Sequence, residues 1–368
     1  MTPRSEPLPF GATIGILGGG QLGRMSAHAA ARLGYRTHIF TPEAGSPGGE
    51  VASAVTVAAF EDTPALRAFC ASVDVLTFEF ENIPPAVLDV LDASGVPCRP
   101  GTEVLRIGQD RVLEKRFLAS IGIQVAPWGV VEREGDLDTM PFPAVLKTTR
   151  LGYDGRGQAK VENLAEARAA FARLAPHPLV WEAYMPFSLE ISALGARGVD
   201  GTIAIFDITE NRHRHHILDQ SIVPAGIDAP TRALAEANIR RLLEGLNLVG
   251  VLALEMFVMP DGAVIANEIA PRPHNSGHWT MDACQVSQFD QHIRAVAGMP
   301  VVAPRRHADV VMQNLVGPEG AALWAAALAD PASVPHWYGK AELRPGRKLG
   351  HVNRLAALNA GVLPPSQA

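Results

Sequence analysis

Short apolar runs alternate with helical patterns over about the first hundred residues. Thr13 to Leu17, Thr37 to Phe40 and Val73 to Phe78 are each predicted as buried strands, and Met25 to Leu33 has helical spacing. Strands that alternate with helices are typical of a parallel sheet with helices on its faces. A breaker, Val96 to Gly101, follows, so we predict a first α/β domain of residues 1–100.

From residue 101 to about 300, the pattern changes to strands with few helices between them, after a charged helical segment at Asp110 to Ser120. Successive strands favour antiparallel pairing, so this second domain, 101–300, is predicted to be α+β. Its predicted strands are Ala144–Lys147, Leu179–Tyr184, Glu190–Gly195, Ile203–Ile208, Val251–Met259 and Ala263–Ile269.

The remaining residues, 301–368, are too few for a large domain, so we predict a small C-terminal domain that packs on the second. A basic loop rich in glycine and proline, Arg344 to His351, lies within it. Arginine and lysine in tandem there suit a phosphate or carboxylate clamp, although a plain surface loop gives the same pattern.

Composition excludes several classes of protein. The 368 residues carry 32 basic and 38 acidic side chains, a formal charge of −6, with 47% hydrophobic and 6% aromatic residues. This balance argues against a nucleic-acid binder, and no apolar stretch of about 18 residues predicts a membrane span. The start lacks an export signal and the three cysteines are dispersed, so we expect a cytoplasmic protein without disulfides.

A glycine-rich turn follows the first predicted strand. Gly18 to Gly23 matches GxGxxG, in which backbone amides approach an anion at a helix N-terminus. Glu43 lies about 20 residues further on, where an acid binds ribose in dinucleotide sites. An NAD-dependent oxidoreductase is therefore one hypothesis, and a tight turn without a ligand is the alternative.

A second glycine-rich loop, Gly152 to Gln158, follows the predicted strand that ends in Lys147. Flexible backbone amides beside lysine and arginine suit closure over a polyphosphate. A surface hairpin would give the same pattern, and the Walker A pattern GxxxxGK[ST] is absent from the chain.

Two glutamates are predicted to face one another in a hairpin. Asp261-Gly262 is a two-residue turn signal, and counting outwards from it along both strands places Glu255 opposite Glu268. Like charges directly opposite destabilise a sheet, so we expect Mg²⁺ between them, shared with nucleotide phosphates. A pair splayed at a solvent-exposed edge, or a register shifted by one residue, is the alternative.

Three histidines, His213, His215 and His216, lie close together among arginines. Zinc is one interpretation, but the interleaved arginines would repel a cation and no cysteine or acid is adjacent. A solvated strand end with one histidine at a ligand is the hypothesis that we prefer.

Five strings together resemble the ATP-grasp superfamily and, within it, the N5-carboxyaminoimidazole ribonucleotide synthetases. They are GGGQLGRM from Gly18, TFEFEN from Thr77, GYDGRGQ from Gly152, NEIAPRPHNSGHWT from Asn267 and RPGRKLGH from Arg344. The resemblance implies an ATP-grasp fold that combines α/β and α+β parts. A Rossmann-like N-terminal parallel-sheet domain, a lid subdomain at about 111–185 and a small β-rich C-terminal domain are expected.

The implied activity is a carbon–nitrogen ligase of purine biosynthesis. ATP would phosphorylate bicarbonate to carboxyphosphate, and the released CO₂ would carboxylate the amine of 5-aminoimidazole ribonucleotide. The products would be N5-carboxyaminoimidazole ribonucleotide, ADP and phosphate. The resemblance also implies a homodimer and a functional link to the mutase that uses the product.

Site residues follow from the resemblance, position by position. Nucleotide contacts are implied for Arg111, Lys147, Gly152, Tyr153, Asp154, Gly155, Arg156, Gly157, Gln158, Glu182, Ala183, Tyr184, Met185, Glu190, His213, Asn267 and Glu268. Glu255 and Glu268 would bind Mg²⁺. The ribonucleotide phosphate would contact Arg156, Lys340 and Arg347, while His274, Asn275 and Ser276 are further substrate candidates. Asp154, Arg272 and Lys348 would handle bicarbonate and carboxyphosphate.

Two alternatives to this ligase stay open on sequence alone. One is the NAD-dependent oxidoreductase, which leaves Lys147 and the glutamate hairpin without a role. The other is a subunit that binds ATP but catalyses no reaction, since a complete set of ATP-binding residues does not by itself show activity.

Overall fold

The computed structural model describes residues 6–152 and 157–361. The strands are β1 (Thr13–Leu17), β2 (Arg36–Thr41), β3 (Ala54–Val57), β4 (Val75–Phe78), β5 (Trp128–Val131), β6 (Ala144–Thr148), β7 (Gln158–Val161), β8 (Leu179–Ala183), β9 (Leu189–Arg197), β10 (Ile203–Ile205), β11 (Thr209–Arg214), β12 (Ile217–Val223), β13 (Gly250–Val258), β14 (Val264–Ala270), β15 (Ala308–Val316), β16 (Ser333–Trp337) and β17 (Lys348–Ala357). The helices are α1 (Gln21–Arg32), α2 (Thr63–Ala71), α3 (Pro85–Ala93), α4 (Thr102–Gly108), α5 (Arg111–Ser120), α6 (Leu164–Leu174), α7 (Ala229–Gly245), α8 (Thr280–Ala283), α9 (Gln288–Val296) and α10 (Gly317–Ala329).

The N-terminal part is the predicted parallel sheet. Its order is β3-β2-β1-β4, and all three pairings are parallel. Apolar side chains fill both faces, since Ile14, Ile16 and Phe40 are completely buried. The α/β interpretation of this part is confirmed.

A four-stranded antiparallel sheet, β5-β8-β6-β7, follows in the chain. Helix α6 packs on it, with Ala167 and Ala170 against Leu146 and Leu179 in one apolar cluster. This sheet carries Lys147 at the end of β6 and Glu182 near the end of β8.

A nine-stranded sheet of antiparallel pairs forms the rest, in the order β14-β13-β9-β11-β12-β15-β17-β16, with β10 beside β9. Helix α7 covers one face, where Ile239 and Leu243 join Leu252 and Leu254 in the largest apolar cluster. Strand β12 pairs with β15 from Gln220 to Val223, so the C-terminal strands extend the central sheet. The C-terminal residues, expected to pack on the second domain, are thus joined to it by backbone hydrogen bonds within one sheet.

Helix α9 ties the first sheet to the central one. Phe289 and Ile293 are buried with residues of α1. On the same helix, His292 contacts the Thr77 hydroxyl of β4 at 2.8 Å through Nε2, and Nδ1 accepts from the Val251 amide of β13 at 3.3 Å. No helix among residues 6–152 and 157–361 is both long and apolar enough to cross a membrane.

Candidate active site

A cavity of about 720 Å³ lies where the three sheets meet. Most of the candidate residues line it, although they come from distant parts of the chain. They are Arg111, Lys147, Gly152, Gln158, Glu182, Ala183, Tyr184, Met185, Glu190, His213, Glu255, Asn267, Glu268, Arg272, His274, Asn275 and Lys348.

Helix α5 brings Arg111 to the cavity. Asp110 begins the helix by accepting from the amides of Val112 and Leu113, which satisfies groups that a helix start leaves open. One guanidinium nitrogen of Arg111 then lies 3.4 Å from an oxygen of Glu268. Burial would lower the pKa of Arg111, but Glu268 and neighbouring carboxylates raise it, so the side chain remains a cation.

Lys147 and Glu182 form a buried ion pair where the sheet β5-β8-β6-β7 borders the cavity, with Nζ and Oε2 at 2.9 Å. Burial would raise the pKa of Glu182, but Lys147, Lys115 and Arg111 together lower it to about 2. Burial lowers the pKa of Lys147, and Glu182 opposes that shift. A phosphate at this position would meet a cluster of cations with one carboxylate among them.

Glu255 and Glu268 are cross-strand partners, as predicted. Glu255 is buried, and its pKa rises to about 8 because burial and the Glu268 charge both disfavour its ionised form. Asn267, beside Glu268, has a buried Oδ1 without a hydrogen-bond partner among the described residues. Two carboxylates with an amide oxygen fit Mg²⁺, which prefers oxygen ligands and keeps room for water and phosphate.

His274 holds Glu255 from the other side. The Ser276 amide donates to His274 Nδ1 at 3.3 Å, and the Nε2 of His274 lies 3.0 Å from Glu255 Oε1. Burial and the nearby Arg272 and Lys348 lower the pKa of His274 well below its usual value, so the ring is neutral. With Nδ1 accepting, the neutral ring has its hydrogen on Nε2 and donates it to Glu255.

His213 pairs with Glu190, with Nδ1 and Oε2 at 2.8 Å. Burial would lower the pKa of His213, but the hydrogen bond and charge of Glu190 raise it above its usual value. His215 and His216 have φ of 51° and 63°, which makes them the tight turn between β11 and β12. Among the described residues no group of three or more His, Cys, Asp or Glu could hold a metal, so the zinc interpretation has no support.

Arg272 and Lys348 lie on the wall of the cavity with His274. Arg272 is held by Glu81, at 2.8 Å from Nη2 to Oε2. Lys348 begins β17, and its charge acts on His213, Glu255 and His274. The two cations can therefore act on an anion bound between Glu255 and the N-terminal sheet.

The glycine turn at Gly18 to Gly23 contains a carboxylate of the protein itself. Glu79 accepts from the Gly20 amide at 2.8 Å, and a Cβ on Gly18 would come within 2.6 Å of its side chain. Burial raises the pKa of Glu79, and the Gly20 amide opposes this. An internal carboxylate at the anion position argues against a dinucleotide pyrophosphate at this turn, because two anions would compete for the same amides.

Some candidates lie away from the main cavity. Lys340 and Arg347 line a smaller one of about 120 Å³, where Arg347 lies 3.7 Å from Glu43. Ser276 is completely buried behind His274 and bonds Ser192 at 2.8 Å, so it positions the histidine instead of lining the cavity. Gly157 accepts from the Thr148 amide at 2.8 Å, beside the cavity. Tyr153, Asp154, Gly155 and Arg156 lie outside the described residues.

The structure adds residues to which sequence reasoning gave no role. Glu79 and Glu81 follow the buried strand β4, and acids after a parallel strand are a usable signal. Phe187 and Phe257 stack at 4.5 Å and line the cavity, but an aromatic residue in an apolar strand cannot be told from a core residue. Glu114 accepts from the Ile269 amide at 2.6 Å, a contact between distant segments that gives no local signal.

Family models match three successive parts of the chain. Residues 11–109 match the ribonucleotide synthetase preATP-grasp domain, 116–289 the ATP-grasp domain, and 310–362 the phosphoribosylaminoimidazole carboxylase C-terminal domain.

Individual relatives agree with these matches. The N5-carboxyaminoimidazole ribonucleotide synthase of Brucella melitensis is 48% identical over 94% of this chain and 96% of its own. The Staphylococcus aureus N5-carboxyaminoimidazole synthetase complexed with ADP has a TM-score of 0.90 at 36% identity, covering 95% of both chains. The Aspergillus clavatus enzyme in complex with ADP and 5-aminoimidazole ribonucleotide has a TM-score of 0.86 at 28% identity, covering 94% of both.

The NAD-dependent oxidoreductase hypothesis is therefore wrong, because the family models cover the glycine turn and the ligase domain together. The ATP-grasp fold and the ligase interpretation are confirmed. This chain belongs to the N5-carboxyaminoimidazole ribonucleotide synthase family of ATP-grasp enzymes.

Proposed function

We propose that the site couples ATP cleavage to carboxylation of 5-aminoimidazole ribonucleotide by holding ATP, bicarbonate and the imidazole end of the ribonucleotide in one cavity. The observation that carries this is that the cations Lys147, Arg111, Arg272 and Lys348 and the facing carboxylates Glu255 and Glu268 all line this cavity. Such an arrangement suits phosphoryl transfer, which depends on positioning and charge neutralisation.

ATP would occupy the part of the cavity beside the sheet β5-β8-β6-β7. Arg111 and Lys147 would bind its phosphates, while Glu182 to Met185 line the adenine pocket along the end of β8. The amides of Ala183 and Tyr184 already donate to Pro127 and Pro143, at 2.8 and 3.0 Å, so this segment is held in place. Glu190 would contact ribose, with His213 beside it, and the loop from Gly152 to Gln158 would close over the phosphates.

Glu255, Glu268 and Asn267 would hold Mg²⁺, with the neutral His274 and the Arg111 guanidinium orienting the two carboxylates. When bound, Mg²⁺ neutralises charge on the phosphate oxygens during transfer. The raised pKa of Glu255 agrees with two acids placed for a cation.

Bicarbonate would lie near Arg272 and Lys348. Its oxygen attacks the γ-phosphorus of ATP, the bond to ADP breaks, and carboxyphosphate forms; this then releases phosphate and CO₂. The ribonucleotide amine attacks CO₂ and loses a proton, giving the N-carboxylated product. Lys348 and Arg272 would stabilise the negative charge of both anions. Asp154 keeps the role with them that the resemblance implies, although it lies outside the described residues.

The ribonucleotide phosphate would bind Lys340 and Arg347 in the smaller cavity, with Arg156 from the lid. Arg347 and Lys348 are consecutive, so one loop serves both cavities. Burial and Arg347 lower the pKa of Lys340 to about 8, and a phosphate there would favour its charged form. His274 and Asn275 would contact the imidazole end of the substrate.

We further propose a cytoplasmic homodimer whose product passes to the mutase that uses it. Cys70, Cys98 and Cys284 form no disulfide, which suits a reducing compartment. Sedimentation equilibrium of the purified chain tests the dimer.

One assay tests the reaction. ADP release is measured with ATP alone, with ATP and formate, and with ATP, bicarbonate and 5-aminoimidazole ribonucleotide. Release that is stimulated by bicarbonate and the ribonucleotide together, and not by formate, supports the proposal. Release stimulated only by formate would assign the site to another ATP-grasp ligase, and no release under any condition would favour the non-catalytic alternative.

A further inference from the structure

One carboxylate, Glu182, is bound by two buried lysines. Its Oε2 lies 2.9 Å from Lys147 Nζ, and its Oε1 lies 3.1 Å from Lys115 Nζ. Lys147 and Glu182 line the large cavity, whereas Lys115 lies behind them and is completely buried. The order from the cavity inwards is therefore lysine, carboxylate, lysine.

Charge balance at Glu182 alone gives no reason for the second lysine, whose charge also acts on the buried Glu114. Burying an ammonium group is unfavourable unless its partners satisfy it fully. Lys115 Nζ and Glu182 Oε1 have no hydrogen-bond partner among the described residues, so their contact is an ion pair without hydrogen-bond geometry. Lys147 already supplies one positive charge to Glu182, so a single ion pair would balance the carboxylate in the ligand-free protein.

The need for Lys115 arises when a phosphate binds. An ATP phosphate in the cavity attracts Lys147, and a buried carboxylate left without its counter-ion costs more than the ion pair itself contributed. We infer that Lys115 is a positioning residue that keeps Glu182 neutralised and in place while Lys147 turns to the nucleotide phosphates. This rests on the proposed placement of those phosphates at Lys147.

Helix α5 is suited to this role because it presents three successive contacts to the site. Arg111 contacts Glu268, Glu114 accepts from the Ile269 amide, and Lys115 contacts Glu182. Residues three and four apart lie on one helix face. Helix α5 therefore contacts both the sheet β5-β8-β6-β7, through Lys115, and strand β14, through Arg111 and Glu114.

Calorimetric titration of the full chain with ADP and with adenosine tests the inference. Lys115→Met should weaken ADP binding by about tenfold or more, since Lys147 then remains with Glu182, while adenosine affinity stays within about twofold. Arg116→Met, the next residue on the same helix and exposed to solvent, removes an equal charge and should change neither affinity. Lys115→Arg should restore ADP binding.

A double variant shows whether Lys115 acts on ADP binding through Glu182 or whether its substitution merely disturbs the fold. In a Glu182→Gln background, Lys115→Met should not weaken ADP binding further, because Lys115 then has no carboxylate at position 182 to hold. Unchanged ADP affinity in Lys115→Met, an equal loss for adenosine, or an undiminished effect in the Glu182→Gln background would overturn the inference.

Two further variants keep the test decisive. If Lys115→Met does not fold, Lys115→Gln, which keeps a donor without the charge, takes its place with the same expectations. Lys147→Met is titrated in parallel. Unchanged ADP affinity in that variant would refute the proposed phosphate placement itself, whereas a loss there with none at Lys115 refutes only the role of Lys115.

Discussion

Glu255 and Glu268 face one another because two departures from a regular hairpin cancel. The turn is three residues long, from Pro260 to Gly262, since Met259 and Ala263 flank it and Gly262 has φ of 84°. Near the turn, this shifts the pairing by one residue from the expected register. An extra residue at Asn267 then restores the expected register at the glutamates.

The bulge has a consequence for the site. Successive residues of a regular strand point to opposite faces, so Asn267 and Glu268 would not share a cavity wall. A bulge re-aims the side chains beside it, and both residues line the cavity. The pairing of Glu255 with Glu268 is thus confirmed, although the two-residue turn predicted for it is wrong.

Replacing one glutamate of the pair should stabilise the metal-free protein and weaken its use of Mg²⁺. At pH 9, where Glu255 is ionised because its raised pKa is about 8, Glu255→Gln removes the repulsion from Glu268, so without Mg²⁺ the free energy of unfolding should rise by up to about 1 kcal/mol. The Mg²⁺ concentration that half-saturates ATP cleavage should rise by about tenfold or more. Urea unfolding and initial rates over a Mg²⁺ series measure both, with the surface variant Glu244→Gln as control. Unchanged Mg²⁺ dependence would remove Glu255 from the metal site.

Arg347 predicts selective loss of the ribonucleotide. A charge-assisted hydrogen bond to phosphate contributes about 1.5 to 3 kcal/mol, so Arg347→Ala should raise the KM for 5-aminoimidazole ribonucleotide by about one to two decades. The affinity for ADP should stay the same, because Arg347 lines the smaller cavity and not the larger one. An equal loss of both would show that the loop serves the nucleotide. Arg240→Ala, an exposed arginine of α7 that lines neither cavity, is the control.

Removing the charge of Lys348 should uncouple nucleotide binding from carboxylation of the ribonucleotide. Lys348→Met and Asp154→Asn should each lower ribonucleotide-stimulated turnover by about three decades or more, as expected when a preorganised charge at the reacting anion is removed. ADP affinity by direct titration should change little. A loss below about tenfold in both variants would match an exposed lid ion pair worth under about 1 kcal/mol, and would end their catalytic assignment.

Buried histidines predict sensitivity to acid. Burial holds the pKa of His278 and of His351 well below the usual value, so both rings are neutral in the folded protein. The unfolded chain binds protons that the folded protein does not, so stability falls as pH drops below about 6.5, until the folded rings titrate. His351→Phe should reduce this slope by up to about 1.4 kcal/mol per pH unit, whatever its effect on stability itself. Urea unfolding between pH 7 and 5 measures it, and a slope in His351→Phe equal to that of the unsubstituted protein would contradict the prediction.

Local pattern was enough for some of the elements. Three of the four strands of the first sheet and the helix after Asp110 were predicted within a few residues, because apolar spacing and a capping carboxylate act over one or two turns of chain, whereas β3 was not predicted. The five family strings contain eight of the seventeen candidate residues that line the cavity, since each string is a continuous segment that can be recognised locally.

Tertiary structure decided what those segments do together. No local pattern shows that Glu79 fills the anion position of the glycine turn, that Lys115 lies behind Glu182, or that Ser276 is buried behind His274. Each of these contacts brings together groups from different elements, and the burial of those groups then shifts their pKa values. The sequence by itself determined which chemical groups this protein carries and in which elements they lie. The tertiary structure decided which of them share a cavity, because that depends on distances between residues far apart in the chain.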